Sequence, residues 1–213
     1  MRGVAVAVLA LLGCACTARV VSVTRGGANE TALAAAVEAG DATSVRALLA
    51  GGVDLTAVIA TPDRGERTPW ELALMKVPSA TTERTPPVDI VVAMLEAGAD
   101  PNASWSHLAG GTQHTTSVQR VYAAELAAGA ANADVVPAML ARGLRTKGPG
   151  ARAALLVAVD LGNMGTVGLL LGAGVDPNVG YTDEMPLAHA ISRGDPAMIR
   201  LLESKGAREF PAR

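Results

Sequence analysis

The sequence predicts an all-α solenoid of about five helix–turn–helix units joined by extended loops. Three observations carry this. First, Gly52, Gly98, Gly143, Gly174 and Gly206 each close an apolar run in the same register. Seven residues before them stand Val45, Val91, Val136, Val167 and Ile199, and four before them Leu48, Met94, Met139, Leu170 and Leu202. That spacing lines one helix face with apolar side chains. Second, Gly40, Ala131, Gly162 and Gly194 lie twelve residues upstream of four of these glycines, each preceded at four residues by Ala36, Ala127, Ala158 or Ala190. A small residue in that slot, Ala73 in the second unit, lets a neighbouring helix approach closely. Third, 50% of the 213 residues are hydrophobic but only 2% are aromatic. A core of small side chains suits thin, closely spaced helices better than a sandwich or barrel.

Residues 1–13 read as a signal rather than as part of the fold. Arg2 is followed by the apolar run Val4 to Leu12, and 16 uncharged residues separate Arg2 from Arg19. A charged start and a short apolar stretch are the pattern of export, and the run is shorter than the roughly 20 residues of a membrane span. Leu11-Leu12-Gly13-Cys14 resembles the lipobox of bacterial lipoproteins. The resemblance implies cleavage before Cys14, lipid chains on that residue and a membrane anchor, with residues 14–28 as a linker. Ala15 after Cys14 implies an outer-membrane lipoprotein facing the periplasm. The alternative is a plain secretory signal cut near Ala18, giving a secreted or periplasmic protein. Cys14 and Cys16 are the only cysteines, so the folded body has no disulfide, thiol nucleophile or cysteine-based zinc site.

The repeating body begins near residue 29. The glycine after each helix sits where a left-handed helix end is needed. Asp41, Asn132, Asn163 and Asp195 follow the inner turns, where Asp and Asn cap a new helix by accepting orphan backbone N–H bonds. Pro196 stands at the favoured first helical position. Each unit is therefore two antiparallel helices with a short turn, then an extended loop.

The motifs Thr68-Pro69-Trp70-Glu71-Leu72-Ala73, Met185-Pro186-Leu187-Ala188-His189-Ala190, Gly98-Ala99-Asp100-Pro101-Asn102-Ala103 and Gly174-Val175-Asp176-Pro177-Asn178 resemble the ankyrin repeat family, whose period is about 33 residues. Five units cover 29–57, 63–103, 115–147, 149–179 and 181–208 within a repeat domain of 29–208, leaving 209–213 as a tail. Glu203 stands where the other four units have Leu49, Leu95, Leu140 and Leu171. That slot faces the next repeat, and a polar residue there is what a terminal capping repeat requires.

Departures from the period mark the candidate binding surface. From Gly98 to Tyr122 is 24 residues, against 16 from Gly52 to Thr68 and ten from Gly143 to Ala153. The second-to-third loop thus carries an insertion holding Trp105, His107, Gln113 and His114. Unit two is also enlarged between Val77 and Pro86. Binding surfaces concentrate in loops on a rigid frame. Arg64 and Arg67, with Asp63 and Glu66, are candidates in the first loop, and Tyr181, Asp183 and Glu184 in the last. Trp70 fills a slot held elsewhere by leucine and is expected in the core. Trp105 reads two ways: an aromatic binding anchor, or a ring folded back over the second unit.

Chemistry-bearing patterns are sparse. His107 and His114 are seven apart without a third ligand, whereas zinc takes three or four, so they read as polar loop residues. His189 reads as a satisfied, partly buried histidine. Glu71 and Glu125 occupy the slot where the family often has His and are expected to hydrogen-bond backbone. No nucleophile elbow or phosphate loop occurs. With 18 basic against 20 acidic residues, the net charge of −2 argues against nucleic-acid binding. The resemblance implies a non-enzymatic protein-binding module of the bacterial cell envelope, without a cofactor or metal, whose partner is another protein. Metal or small-ligand binding through His107 and His114, and a secreted effector, are the alternatives.

Overall fold

The computed structural model describes residues 24–61, 65–77, 86–109, 117–129, 134–179 and 185–209. Five helix pairs follow one another: α1 (Ala28–Ala39) with α2 (Ala42–Ala50), α3 (Pro69–Lys76) with α4 (Pro86–Glu96), α5 (Ala123–Ala128) with α6 (Val135–Ala141), α7 (Pro149–Asp160) with α8 (Met164–Gly172), and α9 (Pro186–Ser192) with α10 (Pro196–Ser204). The first helices stack α1–α3–α5–α7–α9 into an inner row. The second helices α2, α4, α6 and α8 stack outside it, and α10 lies on α9.

Seven of the ten described helices end on one local solution. Gly206 has φ +87°, a conformation that a Cβ makes costly. It turns the chain so that the Ala207 amide reaches back to the Leu202 carbonyl at 3.0 Å. The same bond recurs from Asp41 to Ala36, Ala99 to Met94, Leu144 to Met139, Asn163 to Ala158, Val175 to Leu170 and Asp195 to Ala190. This is the Schellman closure, and the repeated alanine slot of the first helices and the leucine or methionine slot of the second supply its carbonyl. Asp41, Asn163 and Asp195 cap the following helices as expected, accepting backbone amides at 3.0–3.1 Å. Asn132 lies outside the described residues.

The core is one continuous seam. Val45, Val91, Val136, Val167, Met94, Met139, Leu170 and Leu202 are all buried, as are the inner alanines Ala36, Ala73, Ala127, Ala158 and Ala190. Trp70 is buried too, and its Nε1 donates to the Asp100 carbonyl at 3.0 Å. Glu203 is exposed on the last helix.

The inter-unit segments depart from simple loops. Ile59–Thr61 (β1) and Gly65–Arg67 (β2) pair antiparallel between units one and two. Ser104–Ala109 (β3) and Ser117–Tyr122 (β4) pair antiparallel between units two and three, in the register Ser104 to Tyr122 through Ala109 to Ser117. The inserted segment alternates polar with apolar or aromatic residues, and pairing satisfies its backbone donors and acceptors. Among the described residues no helix is long and apolar enough to cross a membrane.

Candidate functional site

The two hairpins meet the inner helix row at Glu71. Thr68 caps α3, its Oγ1 accepting the Glu71 amide at 3.1 Å. This sets Glu71 in the first turn with its side chain buried. The Thr68 backbone hydrogen-bonds the carboxyl, as the sequence predicts for this slot. Beyond that expectation, Glu71 Oε1 accepts from His107 Nε2 on β3 at 2.6 Å and lies 3.4 Å from Arg67 Nε on β2. Arg67 also donates to His107 Nδ1 at 2.9 Å. One carboxylate thus ties both hairpins to α3. Glu125, in the corresponding slot of the next unit, likewise binds backbone, accepting the Tyr122 amide at 3.2 Å.

Burial pushes the Glu71 carboxyl above its ordinary range, against the pull of His107 and Arg67. Its Oε2 is buried and without a hydrogen-bond partner, which explains why desolvation prevails over two nearby cationic or polar groups.

Alternation along β3 decides which residues are free. Trp105 and His107 share one face and turn toward the repeats; Ser104 and Ser106 are exposed. Trp105 is half-buried against the core, so its ring is folded back over the first and second units. It helps line a cleft of about 430 Å³ with Leu55, Val58, Trp70, Ala99 and Ala103. On β4, Arg120 lies across from Ser106 and is exposed, as is Gln119.

The sequence candidates divide accordingly. The structure brings Trp105, His107 and Arg67 together around α3, on strands rather than in open loops. Both ring nitrogens of His107 are engaged. Cys14, Arg64, Gln113, His114, Tyr181 and Asp183 lie outside the described residues. His189 is satisfied, its Nδ1 2.5 Å from Asp160 Oδ1. Sequence reading passed over Ser106 and Arg120. The alternation Ser104-Trp105-Ser106-His107 marks Ser106 as a strand position, whereas Gln119-Arg120-Val121-Tyr122 does not alternate and carries no such signal for Arg120.

No family model matches the chain, and no curated protein matches it. Among solved structures it is similar to the ankyrin repeat domain of Bcl-3, described as a unique member of the IκB protein family. The two share 27% identity over 83% of this chain and 72% of that one, with a TM-score of 0.55. Stacked repeats of this kind offer extended surfaces to other proteins. The repeated helix pairs, the glycine closures and this likeness agree: the chain has an ankyrin repeat fold.

Proposed function

We propose that the protein is a non-enzymatic binding module of the bacterial cell envelope, held to a membrane through Cys14, and that another protein docks on its hairpins. The observation that supports docking there is the clasp at Glu71. It holds two hairpins from successive loops on one rigid helix row, leaving Ser104, Ser106 and Arg120 exposed. A preordered surface loses less conformational freedom on binding than a loose loop. The lipobox-like Leu11-Leu12-Gly13-Cys14 supports the anchor and the envelope location.

The test is capture of the tagged full-length protein from detergent-solubilised native membranes, beside Arg120→Glu. The expected result is one stoichiometric protein, lost in the variant. Equal capture by both would reject the hairpin face as the docking surface. Metabolic labelling with a lipid precursor tests the anchor. Label that disappears in Cys14→Ala supports it, and an unlabelled wild type leaves a secreted or periplasmic protein.

A further inference from the structure

Each hydrogen-bonding role in the Arg67–His107–Glu71 chain is determined by chemistry. A guanidinium only donates, so the 2.9 Å contact from Arg67 makes His107 Nδ1 an acceptor. Nδ1 then bears no proton. The neutral ring keeps its proton on Nε2, which donates to Glu71 Oε1 at 2.6 Å. Only this neutral form serves both partners.

We propose that His107 is a proton switch coupling the two hairpins: neutral, it holds Arg67 and with it β1–β2; protonated at Nδ1, it releases them. A proton from solvent takes the Nδ1 lone pair that had accepted from Arg67. That hydrogen bond is lost, and two cations are left facing each other. The Nε2–H bond to Glu71 remains and becomes charge-assisted on both sides. Arg67 keeps its 3.0 Å bond to the Glu66 carbonyl of its own strand and its 3.4 Å approach to Glu71 Oε1, the oxygen that the imidazolium now occupies more strongly. The side chain of His107 is 23% exposed, so solvent protons reach it.

The surrounding charged groups do not override this. Lys76 of α3 pairs with Glu38 of α1 at 2.5 Å. Glu66 of β2 turns outward to Arg25 at 3.7 Å. Glu30 of α1 binds the Gly27 and Asp54 amides, and Glu125 of α5 binds the Tyr122 amide. The groups that act on the Glu71 carboxyl are Arg67, His107 and the Thr68 backbone.

Imidazole is the side chain that ordinarily changes charge between about pH 5 and 8, which sets the pH range of the test. A partner spanning both hairpins would be held at neutral pH and loosened below it. That consequence rests on the hairpins being the docking surface, whereas the switch itself is measured without a partner.

The experiment is amide hydrogen exchange on the full-length protein at about pH 7.5 and about pH 5.5. Protection of the β1–β2 amides is divided by that of α7 in the same sample, which removes the intrinsic pH dependence and reports whether the array stays folded. In wild type the ratio is expected to fall about tenfold on acidification. In His107→Gln the amide donates to Glu71 and the carbonyl accepts from Arg67 without titrating, so the ratio stays high at both pH values. His107→Ala gives the low ratio at both. A constant wild-type ratio, or an identical response in His107→Gln, would overturn the switch. Nitrogen chemical shifts of the wild-type ring give a second reading: a proton on Nδ1 at neutral pH would also overturn it.

Discussion

Asn178 holds Arg208 across the last two units. Its Oδ1 accepts the Arg208 amide at 2.9 Å, while its Nδ2 donates to the Gly206 carbonyl at 3.0 Å. Asn102 makes the same pair of bonds to Arg145 and Gly143, at 2.8 and 3.0 Å. In both loops an aspartate two residues earlier accepts the Asn amide, Asp176 at 2.9 Å and Asp100 at 2.8 Å. The Asp-Pro-Asn sequence is therefore a stitch between adjacent loops. Removing the Asn178 side chain by Asn178→Ala breaks two hydrogen bonds that contribute about 1 kcal/mol each. The expected outcome is a loss of about 1–2 kcal/mol, with faster amide exchange in α9 and α10 than in α3. An unchanged denaturation midpoint would contradict the stitch.

Leu170 is fully buried between the fourth unit's helices and their neighbours. Leu170→Ala is expected to cost about 2–5 kcal/mol, from lost transfer energy and the cavity left behind. Leu170→Asp should unfold the array, because a buried unpaired charge has no compensation. Each repeat buries its face only against its neighbours, so the loss should spread through the units in one transition. Wild-type stability of the Asp variant in urea would refute the assignment of this helix face.

Glu203 is exposed where the earlier units place leucines. Glu203→Leu should leave thermal stability nearly unchanged and promote self-association at high concentration. Sedimentation velocity reads the association. A markedly lower melting temperature, with no association, would show that Glu203 does more than keep the last face polar.

Glu71 makes a signed contribution to the pH dependence of stability. Its carboxyl titrates above the ordinary 4.5 because of burial, so between those two values the folded chain binds more protons than the unfolded one. The stability this supplies is fully present below 4.5 and is lost as pH rises through the raised value. Glu30 and Asp41 have the opposite sign. Their carboxyls are lowered, chiefly by backbone hydrogen bonding at Glu30 and by the Ser44 hydroxyl at Asp41, so their contribution disappears only as pH falls below the ordinary carboxylate range. In urea titrations the stability of wild type relative to Glu71→Gln should therefore fall as pH rises above the ordinary carboxylate value of 4.5, a difference separate from any effect of His107 protonation on the hairpins. Parallel curves for the two proteins would reject the raised carboxyl.

Reading the site from sequence worked where the information was local. Trp70 was recognisable as core from its leucine-like slot, and Glu125 as a backbone acceptor from its place in the first helical turn. His107 was not recognisable as a clasp. Its partner Glu71 lies 36 residues away, and no spacing rule links a residue of an insertion to one particular slot of the previous helix. Trp105 stood between two readings for the same reason. Its inward orientation depends on strand register, which one residue of slip would reverse.

The sequence by itself determined the repeat, its five units, the glycine and alanine slots that close the helices, and the polar terminal face. These follow from side-chain periodicity and backbone sterics, which act within a few residues. Only the tertiary structure decided that the irregular segments pair as hairpins, and that Glu71 gathers Arg67 and His107 from both. Those features depend on which distant groups share a low-dielectric space beside α3, and a buried carboxylate takes the partners the packed fold brings within reach.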